Sequence, residues 1–523
     1  MKAATRIWII PLLGALVANA VGVAPVSAGP ATPAGVGSDF NADGWPDLVI
    51  GVPGDRVGGL AGAGSVLVMY GSFTDQGVST RRTQVIHQNV AGVLDVAEAG
   101  DRFGASVASG DFDGDGYHDL AVGIPGEDTP LGTDTGAFQT FLGSPNGLTQ
   151  VGGIWSYGYS ADPNSRLGAS MVAVDMLNSF TGNDGRDLKI DLAIGAPGWN
   201  QSRGRVLILA GGYITDDADG LETRSYEGTQ AGAEAGAALA GGDFDGNFLT
   251  GYELAIGEPG FDITGPPAIP DTGRVMVLYD ASGTTSDFLF QRQSVIADDS
   301  EAGDRFGEVL SAGDINGDDT TDLVVGTPHE DIGTKSDAGR AIVIIASDDE
   351  GGGFASPTTS FALDEGSAAN ANDRFGAAVA LQDFGQDTLG LDIAVGVPGR
   401  AVNNRANAGR VMLWQTTNGN VPISATKSIN QDTSKIGDVA EAGDQFGSTL
   451  WAAHLDAYNG ADLIVGVPME DLGSTTNAGL IHFIYSPYQG LLTGAGSKVY
   501  RQGVNGVPGD PKVNEVFGSS FVL

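Results

Sequence analysis

The sequence predicts an all-β fold: a seven-bladed β-propeller of four-stranded antiparallel blades, closed by the C-terminal strand joining the N-terminal blade. Three observations predict it: a sevenfold repeat, a turn-rich and strand-rich composition, and complementary chain ends. A strand ends in Gly-x-Pro seven times, at Gly51, Gly123, Gly195, Gly257, Gly326, Gly396 and Gly466, with spacings of 72, 72, 62, 69, 70 and 70 residues. Units of this length cannot bury their apolar faces alone, so copies must pack together. Each unit also opens on an aromatic-Gly or similar pair, at Phe103-Gly104, Leu167-Gly168, Ala235-Gly236, Phe306-Gly307, Phe375-Gly376, Phe446-Gly447 and Phe517-Gly518. With 82 Gly, 23 Pro and 7% aromatics in 523 residues, long helices have little room.

The unit beginning at Phe103 reads as four strands. FGASVASG leads through the loop DFDGDGYHD to LAVGIPG, a polar loop follows, and GAFQTFLG and a segment near GIWSYG complete the set. Short β-branched runs bounded by Gly or Asp are how buried strands read. The fourth element recurs as TQVIHQ, TRSYEG, RQSVIAD, TTSFAL, TKSINQ and KVYRQ. Four antiparallel strands repeated seven times describe propeller blades. At the ends, Phe517-Gly518 is followed by SSFVL without an acidic loop, while an orphan loop at Asp39 precedes DLVIGVP. The C-terminus thus supplies the strand that the N-terminal blade lacks.

Residues 1–28 read as a secretory signal peptide, with Lys2 and Arg6 at its start, an apolar stretch, and a small-residue cleavage site at Val26-Ser27-Ala28. Residues 29–523 form the propeller. Loss of Lys2 and Arg6 takes the formal charge from −39 to −41. The chain has no Cys, which excludes disulfides, a thiol nucleophile and Cys-bound zinc. Its acidity argues against nucleic acid, and no later stretch is apolar enough to cross a bilayer as a helix.

Three loops share one acidic spacing: DFNADGWPD at 39–47, DFDGDGYHD at 111–119 and DINGDDTTD at 314–322. Oxygen side chains stand at positions 1, 3, 5 and 9, and a backbone carbonyl is free at position 7. Such a set suits a hard cation, and calcium takes 6–8 oxygens in flexible geometry. An EF-hand is excluded, because position 12 holds Ile50, Val122 and Val325 rather than Glu. Asx turns alone would need fewer aligned oxygens. A fourth loop keeps Asp243, Asp245 and Asn247, with Glu253 where the closing Asp would fall. The loops near Asp383, near His454 and after Leu167 read as metal-free turns.

Phe-Gly, the acidic loop and Gly-x-Pro together resemble FG-GAP repeats, which build the propeller of integrin α-subunits. The resemblance covers residues 37–523. It implies calcium at Asp39, Asn41, Asp43, the Trp45 carbonyl and Asp47. It implies the same at Asp111, Asp113, Asp115, the Tyr117 carbonyl and Asp119, and at Asp314, Asn316, Asp318, the Thr320 carbonyl and Asp322. It also implies extracellular recognition or adhesion. The resulting expectation is a secreted, monomeric, non-catalytic protein that binds an extracellular protein or glycan without inserting into a membrane. Its contact face would lie opposite the calcium loops, with Glu127 and Asp128 facing the partner, while the recurrence of Glu127-Asp128, Glu330-Asp331 and Glu470-Asp471 at one repeat position favours a structural or electrostatic role over a single active site. The enzymatic alternative is a hydrolase, phospholipase- or glycosidase-like, since similar repeats accompany a phospholipase whose catalytic domain has no counterpart in these residues. A propeller lectin is the other alternative, although Trp45, Trp155, Trp199, Trp414 and Trp451 share no repeat position. The five His form no HExxH motif, and GxSxG is absent.

Overall fold

Each second strand carries a central apolar run, as in Leu48–Val52 and Asp119–Ile124, and each is buried along its whole length, the leading acid of the latter type included. A strand buried on both faces needs neighbours on both sides, and adjacent blades provide them. The computed structural model describes residues 38–522 except 73, 75–76, 150–153, 156–161, 177–188, 213–222, 248–250, 280–285, 292–295, 297, 348–352, 355–358, 386–389, 418, 423–424, 457–459 and 488–491. The expected signal peptide lies outside the described residues. These form seven four-stranded antiparallel sheets, with no helix long and apolar enough to cross a membrane.

From the axis outward, blade 1 runs Ser520–Val522, Leu48–Val52, Ser65–Ser72 and Gly77–Ile86. Blade 2 runs Val107–Gly110, Asp119–Ile124, Ala137–Phe141 and Ile154–Trp155, and blade 3 Ser170–Val174, Asp191–Ala196, Arg205–Leu209 and Thr223–Glu227. Blade 4 holds Leu239–Gly242, Glu253–Glu258, Arg274–Leu278 and Ser286–Leu289, and blade 5 Val309–Gly313, Asp322–Thr327, Arg340–Ile344 and Ser360–Leu363. Blade 6 holds Val379–Gln382, Asp392–Val397, Arg410–Trp414 and Lys427–Ile429, and blade 7 Thr449–Ala453, Asp462–Val467, Leu480–Ile484 and Lys498–Tyr500. Closure is as the sequence predicts: Val49, Ile50 and Gly51 pair with Val522, Phe521 and Ser520. In blade 4 the described fourth strand is Ser286–Leu289, with Leu289 paired to Val275 just as Ile86 pairs with Val66 in blade 1, while most of the expected element RQSVIAD lies outside the described residues.

The core is divided among the joints. Val49, Val66 and Val68 of blade 1 pack with Leu120, Val122 and Phe141 of blade 2, whereas Leu48, Ile50 and Leu67 pack with Ile464, Ile481 and Phe483 of blade 7. Alternate side chains of one strand therefore serve different joints, as the period-2 geometry requires. Two repeated glycines sit at these joints, that of Gly-x-Pro and that of the series Gly64, Gly136, Gly204, Gly273, Gly339, Gly409 and Gly479. A Cβ on Gly123 would lie 2.1 Å from the carbonyl oxygen of Gly168 in the next blade. Gly136, at φ 78, bridges to Leu167 of that blade, and a Cβ there would meet the Leu167 nitrogen at 2.2 Å. The inner strands enclose an axial cavity of about 430 Å³ lined mostly by small and apolar side chains.

Candidate functional site

The three acidic loops share one construction. In the first, Asp39 accepts the N–H groups of Asp43 at 3.1 Å and Gly44 at 2.8 Å, and Asp43 accepts that of Trp45 at 3.0 Å. In the second, Asp111 accepts from Gly114, Asp115 and Gly116 at 2.7, 3.1 and 2.9 Å. In the third, Asp314 accepts from Gly317, Asp318 and Asp319 at 2.6, 3.1 and 3.0 Å. Folding the backbone around the first carboxylate draws positions 3 and 5 inward. Carboxylate oxygens of Asp111, Asp113 and Asp115 all lie within 4.8 Å of one another. Burial raises the Asp113 carboxyl above its ordinary range, and the charges of Asp115 and Asp111 add to this. These groups fit a hard divalent cation, which would relieve their mutual repulsion.

Position 9 has a second role that sequence alone conceals. Asp47 accepts from Phe40 at 3.0 Å and from Gly71 at 2.9 Å, tying the loop to the end of the third strand. Asp119 does the same with Phe112 and Gly143, and Asp322 with Ile315 and Ala346. Asp191, Asp392 and Asp462 repeat this strut in blades whose loops lack the acidic spacing. Burial pushes Asp47 up to about 8 and Asp119 up to about 7, against the hydrogen bonds from their backbone donors.

In the fourth loop, oxygens of Asp243, Asp245 and Glu253 lie within 4.8 Å of one another. Asn247 instead donates its backbone N–H to Asp245 at 2.8 Å. Glu253 is fully buried, its Oε1 has no hydrogen-bond partner, and burial raises its carboxyl to about 9. This donor set also fits a cation, with Glu253 in the closing position.

The glutamates of the acidic pairs on the opposite face are withdrawn from the surface. Glu127, Glu330 and Glu470 are buried between blades, each accepting a hydrogen bond at 2.8 Å from Gln88, Gln291 or Gln431 of the preceding blade. Their partners Asp128, Asp331 and Asp471 accept backbone N–H groups of Asp134, Asp337 and Asn477 within their own loops. The glutamate of each pair is therefore a structural group of the joint, whereas Asp128, Asp331 and Asp471 remain exposed.

One group breaks the sevenfold pattern. Glu308 carries the one charged side chain among the described residues lining the axial cavity. The other blades place Ala105, Ala169, Ala237, Ala377, Ser448 or Ser519 there. Its Oε2 lies 3.6 Å from His329 Nε2 and 2.9 Å from Arg305 Nε, and His329 Nδ1 lies 2.9 Å from Asp337. Burial works to raise the Glu308 carboxyl, but His329 and Arg305 outweigh it and hold it below its ordinary value. Hydrogen bonding to Glu308 raises His329, against its burial. This carboxylate–imidazole–carboxylate chain beside a cavity is equipped for proton transfer. The sequence signal was Glu308 replacing Ala or Ser, and His329 replacing a residue that is Gly in five other units.

The FG-GAP repeat model matches residues 33–69, 103–141 and 306–344, the three units with complete acidic loops. These three segments are FG-GAP repeats. Human phosphatidylinositol-glycan-specific phospholipase D is 26% identical over 485 residues, covering 86% of this chain and 54% of that protein. The bovine protein of the same name is 28% identical over 313 residues, covering 57% of this chain and 35% of its own length. Human integrin alpha-6 is 38% identical over 138 residues, 25% of this chain and 10% of the integrin. The FG-GAP chain thus spans about half or less of these relatives. The match across most of this chain is to proteins named as phospholipases, which overturns the expectation of a non-catalytic recognition protein.

Proposed function

We propose that this FG-GAP propeller acts in calcium-dependent hydrolysis of phosphatidylinositol-glycan-type phosphodiesters outside the cell. The observation that carries the proposal is the relationship to the human phospholipase D, which extends over 86% of this chain. Residues 1–28 would be removed on export, and residues 29–523 would form a monomer whose glycan partner is part of the substrate. Calcium in the loops at Asp39, Asp111 and Asp314, with a fourth ion at Asp243, Asp245 and Glu253, would brace one rim of the ring. At the axial cavity, Arg305 would attract a phosphate oxygen, Glu308 would accept a proton from the attacking water, and His329 would protonate the leaving oxygen.

The test is turnover by the purified full chain on a phosphatidylinositol-glycan-anchored protein in detergent micelles, with calcium and with a chelator. Phosphodiester cleavage should depend on calcium and fall at least 100-fold in both Glu308→Gln and His329→Asn. Absence of cleavage above the protein-free blank would end the hydrolase reading. Cleavage untouched by both substitutions would remove the axial group from it.

A further inference from the structure

The inner strands of all seven blades begin from one turn. The residue before the aromatic-Gly pair has a φ between 52 and 61 in every copy, and its N–H donates to a carbonyl of the preceding blade. Four blades place arginine there, as Arg102, Arg166, Arg305 and Arg374, and the other three place Glu234, Gln445 and Val516. Left-handed backbone is uncommon for such residues, so the turn is held by its surroundings. The carbonyls of Arg102, Arg305, Arg374 and Gln445 accept the N–H groups of Ala105, Glu308, Ala377 and Ser448, all of which line the axial cavity. Side chains at this level also meet across blades. Arg305 Nη2 is 2.8 Å from Glu234, Arg166 Nη2 is 3.8 Å from the same carboxylate, and Arg305 Nε is 2.9 Å from Glu308 at the cavity edge. The seven turns ring one mouth of the cavity.

That ring gathers four of the chain's 26 Lys and Arg at one position of the repeat, in a protein whose formal charge is −39. The opposite mouth has the contrary sign, because inner strands such as Val107–Gly110 and Val309–Gly313 run directly into the acidic loops at Asp111 and Asp314. Glu308 does not cancel the arginines, since Arg305 and His329 already hold its carboxylate. Arg102 and Arg374 are exposed and, among the described residues, form no ion pair. Two guanidiniums with no counter-charge therefore stand ready for an anion.

Between its mouths the passage is apolar, lined by Val107, Met171, Leu239, Leu310, Val379 and Trp451 among others. Its hydroxyls are largely committed elsewhere. Ser106, Ser170, Thr449 and Ser520 donate to carbonyls of Gly168, Gly236, Gly518 and Gly104 in the neighbouring blade, and Ser448 donates to Gln445. A five-residue inner strand such as Val309–Gly313 spans about 16 Å. A cavity of about 430 Å³ over that length has a mean cross-section of about 27 Å². So narrow and apolar a tube suits one extended hydrocarbon chain, whereas a glycan in it would leave hydroxyls without partners.

We propose that the axial cavity binds one fatty acyl chain of an anionic amphiphile, with the headgroup held by Arg102, Arg166 and Arg374 at the arginine mouth. The chain enters from the face opposite the acidic loops, because the other mouth repels an anion. The choice of a lipid rests on the proposed hydrolysis, whose substrate carries such chains, but binding requires no bond to break.

The test adds a stearic acid with a nitroxide on its chain, below its micelle concentration, to the purified full chain dialysed free of excess calcium. Tryptophan emission is the readout. Trp451 lines the cavity and its Nε1 has no hydrogen-bond partner, so a chain in place should quench it. Quenching should saturate near one equivalent and be largely lost in Trp451→Phe. The double variant Arg102→Ala, Arg374→Ala should bind the probe at least ~10-fold more weakly, through loss of charge-assisted contacts. The uncharged methyl ester of the probe should bind parent and double variant alike. Ser311→Phe, which fills the passage, should abolish saturable quenching. Displacement of the probe by single-chain phosphatidic acid at lower concentration than by stearic acid identifies a phospholipid as the source of the chain, and the reverse order identifies a free fatty acid. The probe contains no phosphodiester, so saturable quenching in a protein without hydrolytic activity would uphold the site while ending the enzymatic reading. Quenching that does not saturate, or that is as strong in the double arginine variant as in the parent, would overturn the proposal.

Discussion

Replacing His482 with leucine should stabilise the protein, and by more in acid than at neutral pH. His482 lies in the third strand of blade 7, fully buried, with both ring nitrogens lacking a hydrogen-bond partner. Its ring centroid is 5.4 Å from that of Phe446. The equivalent position holds Leu67, Leu207, Met276, Ile342 and Met412 in five other blades, so an aliphatic side chain suits the site. Burial drives the imidazole down to about 3 from an ordinary 6.5. Between those values the unfolded chain binds a proton that the native protein refuses. Stability is therefore complete above pH 6.5 and is lost as pH falls toward 3. At pH 4.5, two units below the unfolded value, the loss is about 2.7 kcal/mol at ~1.36 kcal/mol per unit. At pH 7.5 leucine also removes buried polar atoms without partners, worth about 1–3 kcal/mol. Urea unfolding of parent and His482→Leu at pH 7.5 and 4.5, both in chelator, measures each term. The reasoning is refuted if parent and variant lose the same stability between the two pH values.

Two further outcomes follow from the joints and the closure. Gly123→Ala should cost at least about 3 kcal/mol, because its Cβ would stand 2.1 Å from a backbone oxygen of the next blade. Gly265→Ala has open space around it and should fall within about 0.5 kcal/mol of the parent, as thermal melts of the two will show. Deleting residues 515–523 should lower the melting temperature sharply, since it strips the paired strand from Val49–Gly51 and removes Phe517 and Phe521 from the core. A truncated chain melting with the parent would contradict the closed ring.

The fold was legible because its punctuation is steric. A glycine that lets one backbone touch the next leaves a fixed mark at each joint, and Gly51 through Gly466 give the blade count directly. In blade 4 the described fourth strand, Ser286–Leu289, was not legible, because RQSVIAD carries the stronger β-branched run. Register is set instead by a buried residue, Leu289, standing two places before the joint residue Gln291. The acidic loops were equally visible, but the strut role of Asp47, Asp119 and Asp322 was not, since a carboxylate placed as a strut and one placed as a ligand are the same residue type. The recurrence of Glu127, Glu330 and Glu470 pointed to a structural or electrostatic role, but not to their burial between blades. A buried acid reveals itself through its partner, and the clue was a glutamine 39 residues upstream each time. The axial group was missed because His329 and Glu308 were weighed as residue types rather than as departures from the repeat.

The pairing of Ser520–Val522 with Val49–Gly51 fixes an order of events during synthesis. Blade 1 leaves the ribosome ahead of the other six, yet its innermost strand is translated after all of them. Until then, the ring is a train of blades with a gap at one end, and the apolar side chains of Leu48, Ile50 and Val52 have no blade 7 to face. Contacts of such long sequence separation form slowly, because the entropy of joining the ends is lost before the contacts repay it. The first blade made is therefore the last to be completed, and until completion it presents an open strand edge to any binding partner able to pair with it.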